Sequence, residues 1–193
     1  MSIVKMSRRN IILFIWLCFL TTALYFYFFQ AGYVKKEFSV LSSLPLVVSG
    51  SIYLLLGCIR GFTLIPSTSL IVLGLIFLPA WPLYFLTVIG IMVSSLLTYY
   101  FSEYLDFDKF FEKKYSKTIL KFKTSLEKRE LPIVILWSAA PFFPTDIICY
   151  VCGTLKVNVY KFLLAVLVGE GIVCFIYIFL GKSLLAFFKI HSV

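Results

Sequence analysis

The sequence predicts an all-α polytopic membrane protein, and composition, segment length and proline-broken apolar runs are the three observations that predict it. Of its 193 residues, 61% are hydrophobic and 14% are charged, and the mean hydropathy is +1.00, values atypical of soluble domains. At about 20 residues per crossing, the chain holds roughly six apolar segments. We expect about four full transmembrane helices and two re-entrant-type hairpins. Because little chain is left for a soluble catalytic domain, we expect no enzymatic activity.

The full helices divide the chain into an N-terminal segment, 1–35, and a membrane domain, 36–185. The first helix, Ile11–Phe29, follows a basic start that resembles a signal peptide. It is too long and aromatic for that role and no small-residue cleavage pattern follows, so we expect it to be retained. The other full helices and the tail are predicted at 40–58, 81–101, 160–180 and 186–193.

The one long polar segment, about 106–130, is rich in lysine and predicted to be cytoplasmic. Its aromatic and aliphatic residues recur every three to four positions, which is typical of an amphipathic helix. This helix could lie on the membrane surface or pack on the end of the bundle. The net charge of +9 is spread beside apolar segments, so nucleic acid is not an expected partner. The sequence does not determine how many times the chain crosses the membrane between Arg60 and this loop.

An internal repeat relates two of the broken segments. Pro66 to Gly74 can be laid on Pro144 to Gly153, with an offset of 78 residues that becomes 79. The repeats cover about 60–101 and about 132–181, and Gly169 falls in the full helix of the second. Paired Pro/Gly-interrupted segments mark the binding site in many transporters. The alternative is two ordinary kinked helices whose hydroxyls bond to their own carbonyls.

Three ionisable residues in apolar surroundings are candidates for function. An aspartate at a helix centre costs about 2.5–3.5 kcal/mol in a membrane, so Asp146 is either a functional carboxylate or a helix cap. Arg60 suits phosphate or snorkels to the interface. Glu170 is a second buried acid or lines a polar crevice. The other candidate substrate-site residues and three glycine hinges are Pro66, Ser67, Thr68, Ser69, Pro141, Pro144, Thr145, Gly74, Gly153 and Gly169.

Metal and cofactor chemistry is not expected. His191 is the sole histidine and lies in the tail, which excludes a multi-histidine metal site and leaves Ser67 without a base for hydrolysis. Cys149 and Cys152 have a redox or metal spacing, but they fall in apolar sequence without a second pair.

The chain resembles the DedA superfamily, also called VTT-domain or SNARE-associated Golgi proteins, over about residues 40–185. The similarity rests on Arg60-Gly-Phe-x-x-x-Pro66, Pro141-Phe-Phe-Pro144-Thr-Asp146 and the glycines that follow each. It implies two re-entrant hairpins facing each other across the bilayer, and transfer of undecaprenyl phosphate or phospholipids between leaflets. Ser138 departs from the pattern, because this branch usually has an arginine there. A mechanism with one base from each hairpin is therefore not implied.

The leading expectation is a lipid transporter (flippase- or scramblase-like) of a bacterial plasma membrane. Membrane lipids are its expected partners, proton coupling is expected at the acids, and a homo-oligomer is left open. The alternatives are a proton- or ion-coupled transporter of a small solute, and a membrane protein that recruits a partner through its amphipathic loop.

Overall fold

The computed structural model describes residues 8–29, 43–105, 131–140 and 145–191, and it is helical in these ranges, without a strand. The predicted surface helix at 106–130 and the prolines Pro141 and Pro144 lie outside the described residues. The helices are α1 (Arg8–Phe29), α2 (Leu46–Ile59), a 3-10 turn (Arg60–Phe62), α3 (Ser67–Phe77), α4 (Ala80–Tyr104), α5 (131–138), α6 (Thr145–Thr154) and α7 (Val159–His191).

Two helices in the described ranges are long and apolar enough to cross a membrane, Ala80–Tyr104 and Val159–Gly181. The 25 residues of α4 extend over about 38 Å, more than the hydrocarbon core of about 30 Å. By contrast, α3 has 11 residues and α6 has 10, so each extends only about 15–17 Å. Neither short helix could cross the bilayer alone.

Prolines set the starts of three helices. Pro45, Pro66 and Pro79 stand directly before α2, α3 and α4, each with φ between −53° and −63° and an extended ψ. A proline has no N–H to donate into a preceding turn, and its fixed φ suits the position where a helix begins. The predicted helix 40–58 includes Pro45, whereas in the structure Pro45 stands directly before α2.

Helices of the two predicted repeats pack against one another. The short helix of the second repeat, α6, packs against α4 of the first, and the short helix of the first repeat, α3, packs against α7 of the second. The long helices α4 and α7 also pack against each other. Their shared core is apolar and includes Tyr53, Leu83, Phe162 and Ile178, all fully buried. Each repeat therefore completes its packing with the other.

Glycines at equivalent positions in α4 and α7 make equivalent contacts. A Cβ on Gly90 would lie 3.2 Å from the Cα of Gly57 in α2, and a Cβ on Gly169 would lie 2.9 Å from the carbonyl oxygen of Ile135 in α5. Gly57 and Ile135 are separated by the same 78-residue offset that relates the broken segments. Each long helix thus approaches, through a glycine, the helix that stands before the neighbouring short helix: α2 for α4 and α5 for α7.

We predict that Gly169→Ala destabilises the fold by about 1–3 kcal/mol, because its Cβ would lie 2.7 Å from that of Ser138 and overpack the contact. Gly171→Ala is the matched control, since a Cβ there meets only the Tyr84 hydroxyl at 3.8 Å. Unfolding of both variants in detergent measures the difference. Equal midpoints would contradict the close α5–α7 approach.

Candidate functional site

An ion pair between Arg60 and Asp146 joins the two repeats. Arg60 opens the 3-10 turn that ends α2, and Asp146 is the second residue of α6. The guanidinium Nη2 lies 3.4 Å from the carboxylate Oδ1, and the two side chains are 4% and 0% exposed. Removing one partner of such a buried pair leaves an uncompensated charge and costs about 3–5 kcal/mol.

Gly61 allows the Arg60 turn to lie directly against the hydroxyl face of α4. Its amide donates to Ser94 Oγ at 2.9 Å. A Cβ on Gly61 would lie 2.3 Å from Thr98 Oγ1 and 3.3 Å from Asp146 Oδ1, so only glycine fits without a rearrangement. The hydroxyls of α4, the ion pair and the turn therefore form one compact polar region.

Glu170 is hydrogen-bonded to the first residue of each short helix. This carboxylate on α7 is 3% exposed, and it accepts a hydrogen bond from Ser67 Oγ at 3.1 Å and another from Thr145 Oγ1. Ser67 is the first residue of α3 and Thr145 is the first residue of α6. A helix N-terminus carries a partial positive charge, and two such N-termini lie beside this one carboxylate.

The two clusters are contiguous because Thr145 and Asp146 are neighbours in the chain. Arg60, Asp146 and Glu170 are the buried charged side chains of the described residues, and together they carry one positive and two negative formal charges. No described lysine or arginine lies within ion-pair distance of Glu170. The region thus has more acid than base inside an apolar bundle.

Part of the polar network is left open. Within the described ranges, Arg60 Nε, Arg60 Nη1 and Thr98 Oγ1 are buried without a hydrogen-bond partner. Unpaired buried donors are costly, and a partly satisfied network is worse for stability than an apolar core. The arrangement therefore favours a functional role over a purely structural one. A phosphate or a carboxylate could accept hydrogen bonds from the unpaired Arg60 nitrogens.

The remaining predicted site residues lie around this region with different surroundings. Pro66 stands directly before α3, and Thr68 and Ser69 are only half-buried, outside the hydrogen bonds to Glu170. Gly153 packs against α4, where its Cβ would lie 2.2 Å from the Tyr99 carbonyl oxygen, and Gly74 packs against Tyr53. The two glycines are close-packing positions, and their role as hinges stays a prediction.

Several participants were missed as site residues by sequence reasoning. The hydroxyls of Ser94 and Thr98 are not among the predicted site residues, although their four-residue spacing in an apolar helix does predict one shared polar face. Cys174 Sγ lies 3.8 Å from Glu170 Oε2, one helical turn away. Ser138, the position expected to hold an arginine, is 2% exposed and packs on Gly169 of α7. Gly169 directly precedes Glu170 in the sequence.

We predict that Asp146→Leu destabilises the protein by about 3–5 kcal/mol, because it leaves the Arg60 guanidinium buried and unpaired. The double variant Arg60→Met with Asp146→Leu should recover most of that loss, since no charge then remains uncompensated. The free energy of unfolding in mixed micelles for the four combinations gives the coupling. Additive losses would show that the two side chains do not interact.

The sequence matches the family model of one domain type. The family model of the VTT domain matches residues 65–183, which is more than half of the chain and includes α3 to α6 and most of α7. Comparison with curated proteins and with solved structures gives no significant match. The chain therefore belongs to the VTT domain family, the DedA and SNARE-associated family of membrane proteins.

Proposed function

We propose that the protein is a multi-pass cell-membrane transporter that moves the polar head group of a phospholipid or polyprenyl phosphate between leaflets. The observation that carries this proposal is the buried polar cluster at the point where α3 and α6 begin. Membership of the VTT domain family supports a membrane location. Within the bilayer, we propose that the two short helices belong to re-entrant hairpins.

The physical task is to lower the cost of bringing a charged head group into hydrocarbon. That cost is several kcal/mol for an unsatisfied polar group and more for a charge. Hydroxyls of Ser94, Thr98 and Ser67 would replace part of the hydration shell of the head group. The acyl chains would stay in the lipid beside the bundle, so the protein needs to accommodate only the polar end.

Arg60 is the proposed phosphate contact. Its Nη2 faces Asp146, while Nε and Nη1 have no partner among the described side chains and backbone. An arginine fork can donate two parallel hydrogen bonds to a phosphate. Asp146 would compete with the phosphate for this guanidinium, so it holds Arg60 in place when no head group is bound and releases it when one arrives.

Glu170 is the proposed gate. Its carboxylate holds a hydroxyl from each repeat, Ser67 and Thr145. A proton, or the ammonium of a head group, would neutralise Glu170 and weaken both bonds, because hydrogen bonds to a charged acceptor are roughly twice as strong as neutral ones. The starts of α3 and α6 could then separate. This is how we propose that protons couple to transport.

A second candidate is a proton- or ion-coupled transporter of a small solute. The burial of the cluster favours it, since Ser67 is 8% exposed and Arg60, Asp146 and Glu170 are less so, as expected for a centrally occluded site. A lipid substrate needs an opening toward the bilayer instead. Competition between a water-soluble anion and labelled lipid would separate the two.

We predict that the purified full-length protein accelerates leaflet exchange of a fluorescent phospholipid or polyprenyl phosphate above the rate in empty liposomes. Glu170→Gln should raise the rate by about 10-fold or more, because the proposed gate loses charge-assisted hydrogen bonds worth about 1.5–3 kcal/mol that hold it closed. Glu103→Gln, at the end of α4 and half-buried, is the control and should retain the rate. No acceleration for any lipid tested would rule out the proposed function.

A further inference from the structure

The turn that carries Arg60 is bonded by side chains from three other helices. The Gly61 amide donates to Ser94 Oγ in α4. The Gly61 carbonyl oxygen accepts from the Tyr150 hydroxyl in α6 at 3.3 Å, and the Phe62 carbonyl oxygen accepts from Trp16 Nε1 in α1 at 3.1 Å. The position of the turn is therefore set from α1, α4 and α6 together.

These bonds answer a requirement of the membrane interior. The last carbonyls of a helix have no intrahelical partner, and in hydrocarbon no water replaces one. At the end of α2, Thr63 donates to the Arg60 carbonyl through both its amide at 2.8 Å and its Oγ1 at 2.7 Å. Tyr150 and Trp16 supply the donors for the next two carbonyls, so each carbonyl of the turn has its own partner.

Trp16 occupies an unusual position for this role. It lies eight residues after Arg8 in a 22-residue helix, about 12 Å from its start, whereas membrane tryptophans are enriched at the interfaces. The ring lies against Phe101 and Tyr150, with centroids 5.9 and 5.5 Å away. The neighbouring Phe14 is 61% exposed. Trp16 therefore points inward, and its indole N–H has found a backbone acceptor.

We propose that Trp16 is a positioning residue for Arg60, and that α1 is a clamp on the 3-10 turn Arg60–Phe62. Both α1 and the turn lie outside the matched region 65–183. By fixing the Phe62 carbonyl, Trp16 fixes the direction in which the preceding Arg60 leaves the turn. The guanidinium is thereby held at Asp146, with Nε and Nη1 open.

Amide hydrogen exchange of the full-length protein in nanodiscs tests the clamp without any assumption about transport. Trp16→Phe keeps an aromatic ring while it removes the N–H donor together with the second ring of the indole. We expect exchange of the amides in 60–63 to become roughly 3- to 10-fold faster, the range for the loss of one net hydrogen bond. Tyr150→Phe should act on the same amides, and Phe14→Leu on α1 should leave them unchanged. Unaltered exchange in Trp16→Phe would overturn the clamp.

A transport cycle separates positioning from a general loss of stability, and this arm rests on the proposed function. Trp16→Phe should slow lipid exchange in the wild-type background and have no further effect in an Arg60→Gln background, because its influence passes through Arg60. The same fold-loss in both backgrounds would overturn the positioning role. If the wild-type protein moves no lipid, the proposed function is wrong. The role of Trp16 is still tested separately by hydrogen exchange.

Discussion

The structure depends on one constraint: the backbone N–H and C=O groups at helix ends inside an apolar bundle need hydrogen-bond partners. A helix that begins or ends in hydrocarbon exposes backbone groups that only the protein can satisfy, and α3, α6 and the end of α2 lie within the bundle. The protein gathers polar side chains at those points: Thr63, Tyr150 and Trp16 at the end of α2, and Glu170 beside the starts of α3 and α6. The breaks and the polar cluster are thus one feature of the fold.

The packing of the two repeats on each other places the polar cluster at the contact between them. Because α3 rests on α7 and α6 rests on α4, the pair Arg60–Asp146 and the bonds of Glu170 to Ser67 and Thr145 lie close to the contact between the repeats. The ion pair bridges them directly. A movement of one repeat against the other would change these polar contacts, whereas the close contacts of Gly90 with α2 and of Gly169 with α5 do not join one repeat to the other. Such an arrangement suits alternating exposure of a central site.

The all-α class of fold, the broken segments and the three buried charged residues could be predicted from the sequence. The residues that contact those three charged side chains could not. Hydropathy and proline placement are local signals, so they located α3 and α4 and singled out Asp146 and Glu170. Pairing is not local: Arg60 and Asp146 are 86 residues apart, and Ser67 and Glu170 are 103 apart. Helical periodicity reports which face is polar but not which helix it meets, which is why Ser94, Thr98 and Trp16 were not assigned to the site.

The imbalance of one base against two acids constrains any transport cycle built on this site. Ser138, which stands where the family usually has an arginine, packs against Gly169 and brings no second positive charge to α7. An anionic head group at Arg60 would therefore enter a region that already holds Asp146 and Glu170. Like charges repel strongly at low effective dielectric, so under the proposed function at least one carboxylate would have to be neutralised as the phosphate binds. A proton on Glu170 or an ammonium on the head group itself would do this, and the same event would loosen the starts of α3 and α6. Under the proposed function, binding and opening would in this way be linked through the charge of Glu170.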